Sequence, residues 1–269
     1  MKCVIYYFTG TGNNLAIAKQ LAKELGNTTI LPMKELLKQK EIPAAYDWVG
    51  FTAPSYFSHV PPFVEQCMDG VIYTEKQKIF LIAGCGGNRG LSIQDMRKKV
   101  IESGKVTSLE YMVTLSGSYI LSYNAFPKWY NDFVRKMSYK KITKIANEMR
   151  ENKSRKPLGK GIFYQEKYEE RIQQSIKGMS KVCEKYTVDS NCTGCEICTK
   201  VCPVGNIVMK DGKPVFGDSC NQCMACIQWC PAKAIDCEQK AKNRTRYHHK
   251  DISVRDITEQ KKADKEKNE

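Results

Sequence analysis

Eight of the thirteen cysteines stand in two copies of one pattern: Cys192, Cys195, Cys198 and Cys202, then Cys220, Cys223, Cys226 and Cys230. Each cysteine of the first copy finds its counterpart 28 positions on, and each copy ends in Cys-Pro. Thiolates are soft ligands, and a tight loop can present three of them, at i, i+3 and i+6, to neighbouring corners of an iron–sulfur cube. The fourth corner faces another direction and needs a ligand arriving from there. The proline, which has no N–H to donate, ends the short helix that carries the last cysteine of each run. Zinc ribbons and disulfides are the rival chemistries. Zinc sites usually take two paired ligands far apart. A disulfide framework belongs to secreted chains, and the N-terminus shows no signal-peptide pattern. A twofold repeat of so specific a motif favours iron–sulfur chemistry, and with it one-electron transfer.

The repeat extends past the ligands. Val204-Gly205-Asn206-Ile207 matches Ala232-Lys233-Ala234-Ile235, a small helix followed by an apolar strand residue. Between the copies, residues 207–215 read as a hairpin with Asp211-Gly212 at its turn. Gly194 and Ala225 suit close backbone approach to inorganic sulfide, where N–H groups would tune the potential. Residues 183–240 thus resemble the bacterial two-cluster ferredoxins. The resemblance implies crossed ligation of two [4Fe–4S] clusters. Cys192, Cys195 and Cys198 would share one with Cys230, and Cys220, Cys223 and Cys226 would share the other with Cys202. So small a domain has little apolar core, and its clusters act as staples.

The other end of the chain carries a second signal. Residues 3–8 are a short apolar run, typical of a strand buried on both faces. It leads straight into Thr9, Gly10, Thr11, Gly12, Asn13 and Asn14. A helical pattern follows, with Leu15, Ala18, Leu21, Ala22 and Leu25 on one face and Gly26 at its end. Strand, Gly/Thr-rich turn and helix together cradle a phosphate, because N–H groups and the helix dipole face the anion. A dinucleotide fingerprint is excluded, since Leu15 stands where its third glycine belongs, and a Walker loop would need Gly-Lys-Ser/Thr. The run TGTGNN resembles the FMN phosphate loop of flavodoxins. That resemblance implies hydroxyls of Thr9 and Thr11 and amides of Asn13 and Asn14 around a phosphomonoester.

Three more strands are expected, at about 46–52, 78–83 and 110–114, with helices at about 61–69 and 91–103. Alternation of strand and helix implies an α/β fold with a doubly wound parallel sheet. In the flavodoxin-like strand order a ligand sits over the C-terminal ends of the first, third and fourth strands. Those ends carry the Thr/Gly loop, then Pro54, Ser55, Tyr56 and Phe57, then Gly84, Cys85, Gly86 and Gly87. Tyr56 or Phe57 would stack on an isoalloxazine, unless they are ordinary loop aromatics. The backbone of the Gly84 to Gly87 stretch would meet the ring edge. His59 is expected as a surface loop histidine, with a proton donor near the flavin as the second reading. Cys3, Cys67, Cys183 and Cys237 have no ligand spacing, and Cys85 reads as a small residue in a loop.

Over residues 1–240 the chain resembles the flavodoxin–ferredoxin fusion proteins of anaerobic bacteria and archaea. The expected organisation is a flavodoxin-like FMN domain at 1–126, a basic helical linker at 127–186, a 2[4Fe–4S] ferredoxin domain (small, α+β) at 187–240, and a charged tail at 241–269. The resemblance implies electron transfer: an intramolecular relay between FMN and two clusters, serving as low-potential carrier or adaptor for a partner redox enzyme. The alternative is a flavin-dependent reductase of a small substrate fed through the clusters. Residues 114–130, with Tyr119, Tyr123, Phe126, Trp129 and Tyr130, would roof the pocket it needs.

The net charge is +14. Within 127–185, sixteen Lys/Arg against seven Asp/Glu leave a net +9, so over half the excess lies between the two redox signatures. One reading is a docking face for an acidic redox partner, with charge steering the encounter; the other is a solvated helical linker. No groove-reading motif accompanies the charge, which argues against nucleic acid. Trp129, Phe133 and Met137 suggest an amphipathic helix after Pro127, a break follows at 156–161, and a second helix runs to about 186. Residues 238–269 read as a frayed helix or disordered. No apolar run reaches membrane-spanning length. Reduced thiols and clusters point to a cytoplasmic, oxygen-poor setting.

Overall fold

The apolar run at the start of the chain forms β1 (Cys3–Tyr7), all five residues of which are buried. In the computed structural model, which describes residues 1–258, β1 pairs in parallel with β2 (Thr28–Pro32) and β3 (Trp48–Pro54). β4 (Lys78–Cys85) and β5 (Thr107–Thr114) extend the sheet, again in parallel. The order β2-β1-β3-β4-β5 is the flavodoxin-like, doubly wound order. Four of these strands were legible as apolar runs. β2 was not, because an edge strand beginning Thr28-Thr29 and only half-buried shows no such run.

The register brings the strand ends together: Tyr7 lies opposite Thr52, Pro54 opposite Gly84, and Cys85 opposite Thr114. The first unit comprises Met1–Phe8, Asn14–Ser116 and Lys128–Gln173. Its helices are α1 (Asn13–Leu25), α2 (Glu35–Lys38), α3 (Pro62–Met68), α4 (Ser92–Glu102) and α5 (Lys128–Arg150). Gly26 closes α1 at φ +81, the left-handed conformation that suits glycine after a helix.

α5 begins after Pro127 as expected, but buries a different face. Trp129, Phe133 and Met137 are 72%, 58% and 51% exposed. The face turned inward carries Val134, Ser138, Ile142, Ile145, Ala146 and Met149. The aromatic stripe stops at Met137 and gives way to Lys140, Lys141 and Lys144. The Val134 stripe runs on to the end of the helix and so buries more apolar surface. Beyond α5, Arg155 donates its backbone N–H to Ser108 of β5 at 2.9 Å. Its guanidinium grips the buried Glu148 carboxylate at 2.5 and 2.6 Å. Glu110 of β5 takes the Leu158 N–H at 2.7 Å and the Arg97 guanidinium at 2.6 Å. The break at 156–161 is therefore held, first beside β5 through Leu158 and then at the β4–α4 loop, where Arg89 donates to the Gly159 carbonyl and the Gly161 N–H to the Gly90 carbonyl. After it come a 3₁₀ turn (Glu166–Tyr168), α6 (Glu169–Lys177) and a second 3₁₀ turn (Met179–Lys185), where one continuous helix was expected.

The second unit comprises Thr9–Asn13, Gly117–Pro127 and the described residues from Gln174 on. β6 (Tyr186–Val188) pairs antiparallel with β9 (Ile235–Cys237), and β7 (Ile207–Lys210) with β8 (Lys213–Phe216). Asp211 and Gly212, both at positive φ, make the expected hairpin turn. α7 (Ile197–Val201) and α8 (Ala225–Gln228) each follow two cysteines of a run and carry the third, Cys198 and Cys226. The repeat is written into the backbone. Gly194 and Gln222, Glu196 and Met224, and Gly205 and Lys233 are pairs 28 residues apart, all at positive φ. Ile120, Leu121, Ile207, Met224, Ile227 and Ile235 form the small core. Ile120 and Leu121 thus belong to a packed interior, and the Tyr119 hydroxyl donates to Gln222 at 2.9 Å. This stretch was expected to roof a pocket.

The segment after β9 is ordered through α9 (Val254–Thr258), not frayed. Asp236 accepts the backbone N–H groups of Ala241 and Lys242 at 2.7 and 3.1 Å and turns the chain back. Tyr247, His249, Ile252 and Ile257 are buried. They stand singly among charged residues, so no periodic pattern announced them. Residues 259–269 of the expected tail lie outside the described residues.

Candidate redox centres

Two cavities sit among the cysteines. One is lined by Cys202, Cys220, Cys223 and Cys226, with Tyr186, Ile207, Phe216 and Met224 around them. The other is lined by Cys192, Cys195, Cys198 and Cys230, with Ile197, Met209, Pro214 and Ile235. Each takes three cysteines from one run and the fourth from the other. Among the described residues no three His, Cys, Asp or Glu side chains gather around one ion-sized point. A cube, with a ligand on each of four separate irons, asks for thiols spread around a space, which is the arrangement here.

Backbone donors reach the sulfurs in the same repeat. The Asn206 N–H points to Cys202 Sγ at 3.3 Å, and its counterpart Ala234 N–H to Cys230 Sγ at 3.3 Å. Gln222 N–H reaches Cys220 Sγ at 3.4 Å. Burial pushes Cys198 up to about 11 and Cys220 up to about 12, and raises Cys223 and Cys226 as well. Such thiols hold their protons at neutral pH until a positive centre displaces them. Shape, donor set and protonation all fit iron–sulfur cubes.

In the first unit, Asn14 is buried, and its Oδ1 accepts from the Thr52 hydroxyl at 2.9 Å. A Cβ on Gly84 would stand 2.3 Å from that oxygen. Asn14 therefore braces the ends of β3 and β4. Tyr56 and His59 pair across a tight turn whose tip residues, Phe57 and Ser58, have φ of 49° and 68°. Phe57 is 36% exposed. The next loop touches this turn: Leu91 N–H donates to Ser58 O at 2.6 Å, and Ser55 donates to Arg89 O at 3.1 Å. Pro54, Ser55, Tyr56 and Phe57 thus share one end of the sheet with Gly84, Cys85, Gly86 and Gly87. In the second unit, Thr9, Gly10, Thr11 and Gly12 are buried, Gly12 at φ +92, and Thr9 Oγ1 accepts the Gly12 N–H at 3.1 Å. Small residues, hydroxyls and a positive-φ glycine before a helix fit a phosphomonoester.

Residues 191–235 match a family model described as a 4Fe-4S dicluster domain. The chain joins a flavodoxin-like fold to a dicluster ferredoxin domain. Similar solved structures include oxidised flavodoxin 1 from Bacillus cereus, at 15% identity and TM-score 0.38, covering 57% of this chain and 100% of that one. A flavodoxin from the domain Archaea shares 11% identity at TM-score 0.30, covering 55% and 99%. Rubredoxin oxygen:oxidoreductase from the anaerobe Desulfovibrio gigas shares 11% identity at TM-score 0.32, over 54% of this chain; the chain spans only 36% of that enzyme's length. No curated protein matches. The strand order assigns the flavodoxin-like fold, and the dicluster domain supports an electron-transfer role.

Several residues of the fusion differ from expectation. His59 is not a surface histidine but is buried. Its Nδ1 lies 3.0 Å from Asp95 and its Nε2 3.1 Å from Glu169. With both ring nitrogens facing carboxylates, the ring is a clamp between the turn, α4 and α6. Burial opposes its charge, but the hydrogen bonds and charges of Asp95 and Glu169 outweigh this and raise its pKa. Burial lifts Cys3 and Cys67 to about 12 and raises Cys85, leaving them inert structural thiols. Sequence reasoning missed Trp229 and Tyr247, which reach Gly10 and Asn13; only Trp229's place inside the second cysteine run could have drawn attention.

Proposed function

We propose that the fusion is an intramolecular electron relay between bound FMN and two [4Fe–4S] clusters, serving as carrier or adaptor for a partner redox enzyme. The observation that carries this reading is the sorting of the cysteines into two cavities, each bordered by three thiols of one run and one of the other. When bound, FMN exchanges one or two electrons and each cluster exchanges one.

The eight cysteines are the ligands. The N–H groups of Asn206, Gln222 and Ala234 donate to ligand sulfurs and so favour the more negative, reduced state. Apolar neighbours such as Phe216 and Ile235 keep water from the clusters. At the sheet ends, Phe57 offers an exposed ring to a flat partner, and the glycines at 84, 86 and 87 let the backbone approach a ring edge. Thr9, Thr11, Gly12 and Asn13 hold the phosphate. A partner with an acidic surface would be drawn by the net charge of +14. No helix among the described residues is long and apolar enough to cross a membrane.

The test is an anaerobic preparation with iron, sulfide and FMN quantified, followed by reductive titration. About eight irons and one FMN per chain, reducible in separate steps, are expected. Four irons or fewer in intact protein would break the cluster reading, and a colourless flavin fraction would break the relay.

A further inference from the structure

The loop Thr9–Asn13 belongs to the second unit, and it is held there from the carbonyl side. The Trp229 indole Nε1–H donates to Gly10 O at 2.9 Å. The His249 backbone N–H donates to Thr11 O at 2.8 Å, and the Tyr247 hydroxyl donates to Asn13 Oδ1 at 2.8 Å. The approach is close. A Cβ on Gly10 would stand 2.3 Å from the Cys223 carbonyl, and one on Gly12 would stand 3.0 Å from Ile252. Trp229 lies between Cys226 and Cys230 in the chain, its ring stacked on His248 with centroids 4.3 Å apart. Gln228, its neighbour, accepts the Tyr247 N–H at 2.7 Å.

A trans peptide points its C=O and the following N–H in opposite directions. Bonds that fix the carbonyls of Gly10 and Thr11 therefore aim the N–H groups of Thr11 and Gly12 to the other side of the loop. The Gly12 N–H does point toward the Thr9 hydroxyl, on the side where a phosphate would gather its donors.

We propose that Trp229 is a positioning residue for the phosphate of FMN: its indole N–H, seated between two cluster ligands, fixes Gly10 and so the direction of the loop's donors. This rests on the flavin and cluster reading above. Flavin binding and cluster assembly are then linked. Loss of the clusters slackens the Cys223-to-Trp229 segment and weakens FMN, and FMN in turn stabilises the loaded clusters by the same factor.

The experiment uses cluster-loaded, flavin-stripped full-length protein under anaerobic conditions, titrated separately with FMN and with riboflavin, which lacks the phosphate. Trp229→Phe keeps an aromatic ring over His248 and removes the N–H. The expected result is an FMN affinity lower by about tenfold, with riboflavin affinity and iron content unchanged. Tyr247→Phe, outside the cysteine run, should show the same phosphate-selective loss to a smaller extent, and it carries the test should Trp229→Phe lose iron. Equal weakening of both flavins, or of neither, overturns the inference while leaving FMN binding itself intact. Wild-type protein that binds no FMN overturns the flavin reading, before any variant is compared.

Discussion

Crossed ligation makes a prediction about pairs of substitutions that single ones cannot make. Two cubes hold about eight irons. Removing Cys230 should empty the cavity bordered by Cys192, Cys195 and Cys198, leaving about four irons. Adding Cys192→Ala to Cys230→Ala strikes the same cluster, so about four irons should remain. Adding Cys220→Ala instead strikes the cavity bordered by Cys202, Cys223 and Cys226, and iron should fall toward zero. If each run served its own cluster, the two doubles would exchange outcomes. The assay is iron and acid-labile sulfide per chain after anaerobic reconstitution, with visible absorbance as a check that surviving clusters are cubes. The doubles differ by four irons, far beyond analytical scatter. About four irons in Cys220→Ala/Cys230→Ala beside none in Cys192→Ala/Cys230→Ala would refute the crossing.

Two further outcomes test the packing. Because His59 has a raised pKa between Asp95 and Glu169, its charge stabilises the fold fully below the unfolded value of about 6.5, and the gain is lost as pH rises through the folded value. The stability gap between wild type and His59→Gln should therefore narrow from acid to alkaline pH in thermal unfolding, and a gap independent of pH would show that the ring acts without its charge. On α5, Ile142→Ala at a fully buried site should cost about 2–5 kcal/mol, whereas Trp129→Ala, 72% exposed, should stay within about 0.5 kcal/mol. Reversed costs in denaturant unfolding followed by circular dichroism would mean that the aromatic stripe, not the Val134 stripe, is the packed face.

The placement of the cysteines was more legible than the packing around them. Cysteine spacing carries its own geometry, because a cube constrains the residues that hold it, and the 28-residue repeat recurs in the φ angles of Glu196 and Met224. Apolar runs gave four of the five sheet strands for the same local reason. What stayed hidden depended on partners distant in sequence. His59 looked like a loop histidine because nothing nearby reveals Glu169, which is 110 residues away. The stripe of Trp129, Phe133 and Met137 has the period of a buried face, and only the longer competing stripe shows why it lies outside. Tyr247 and His249 sit among charges, and their burial depends on a surface that no window of sequence contains.

The run from Arg155 to Leu158 has a consequence for how the sheet meets other molecules. An outer strand of a parallel sheet presents an open row of amides and carbonyls, to which a foreign strand can add. At β5 one position of that row is taken by the chain itself, with the Arg155 N–H on the Ser108 carbonyl, and the Leu158 N–H is held beside it on the Glu110 carboxylate. Glu110 and Glu148 act as two fasteners that keep this segment in place through charged bonds. A cut or a displacing mutation there would uncover both a strand edge and a buried carboxylate. One edge of the sheet is thereby guarded against aggregation, and the opposite edge relies on β2, a short, half-buried strand that ends in Pro32, a residue unable to donate to an added strand.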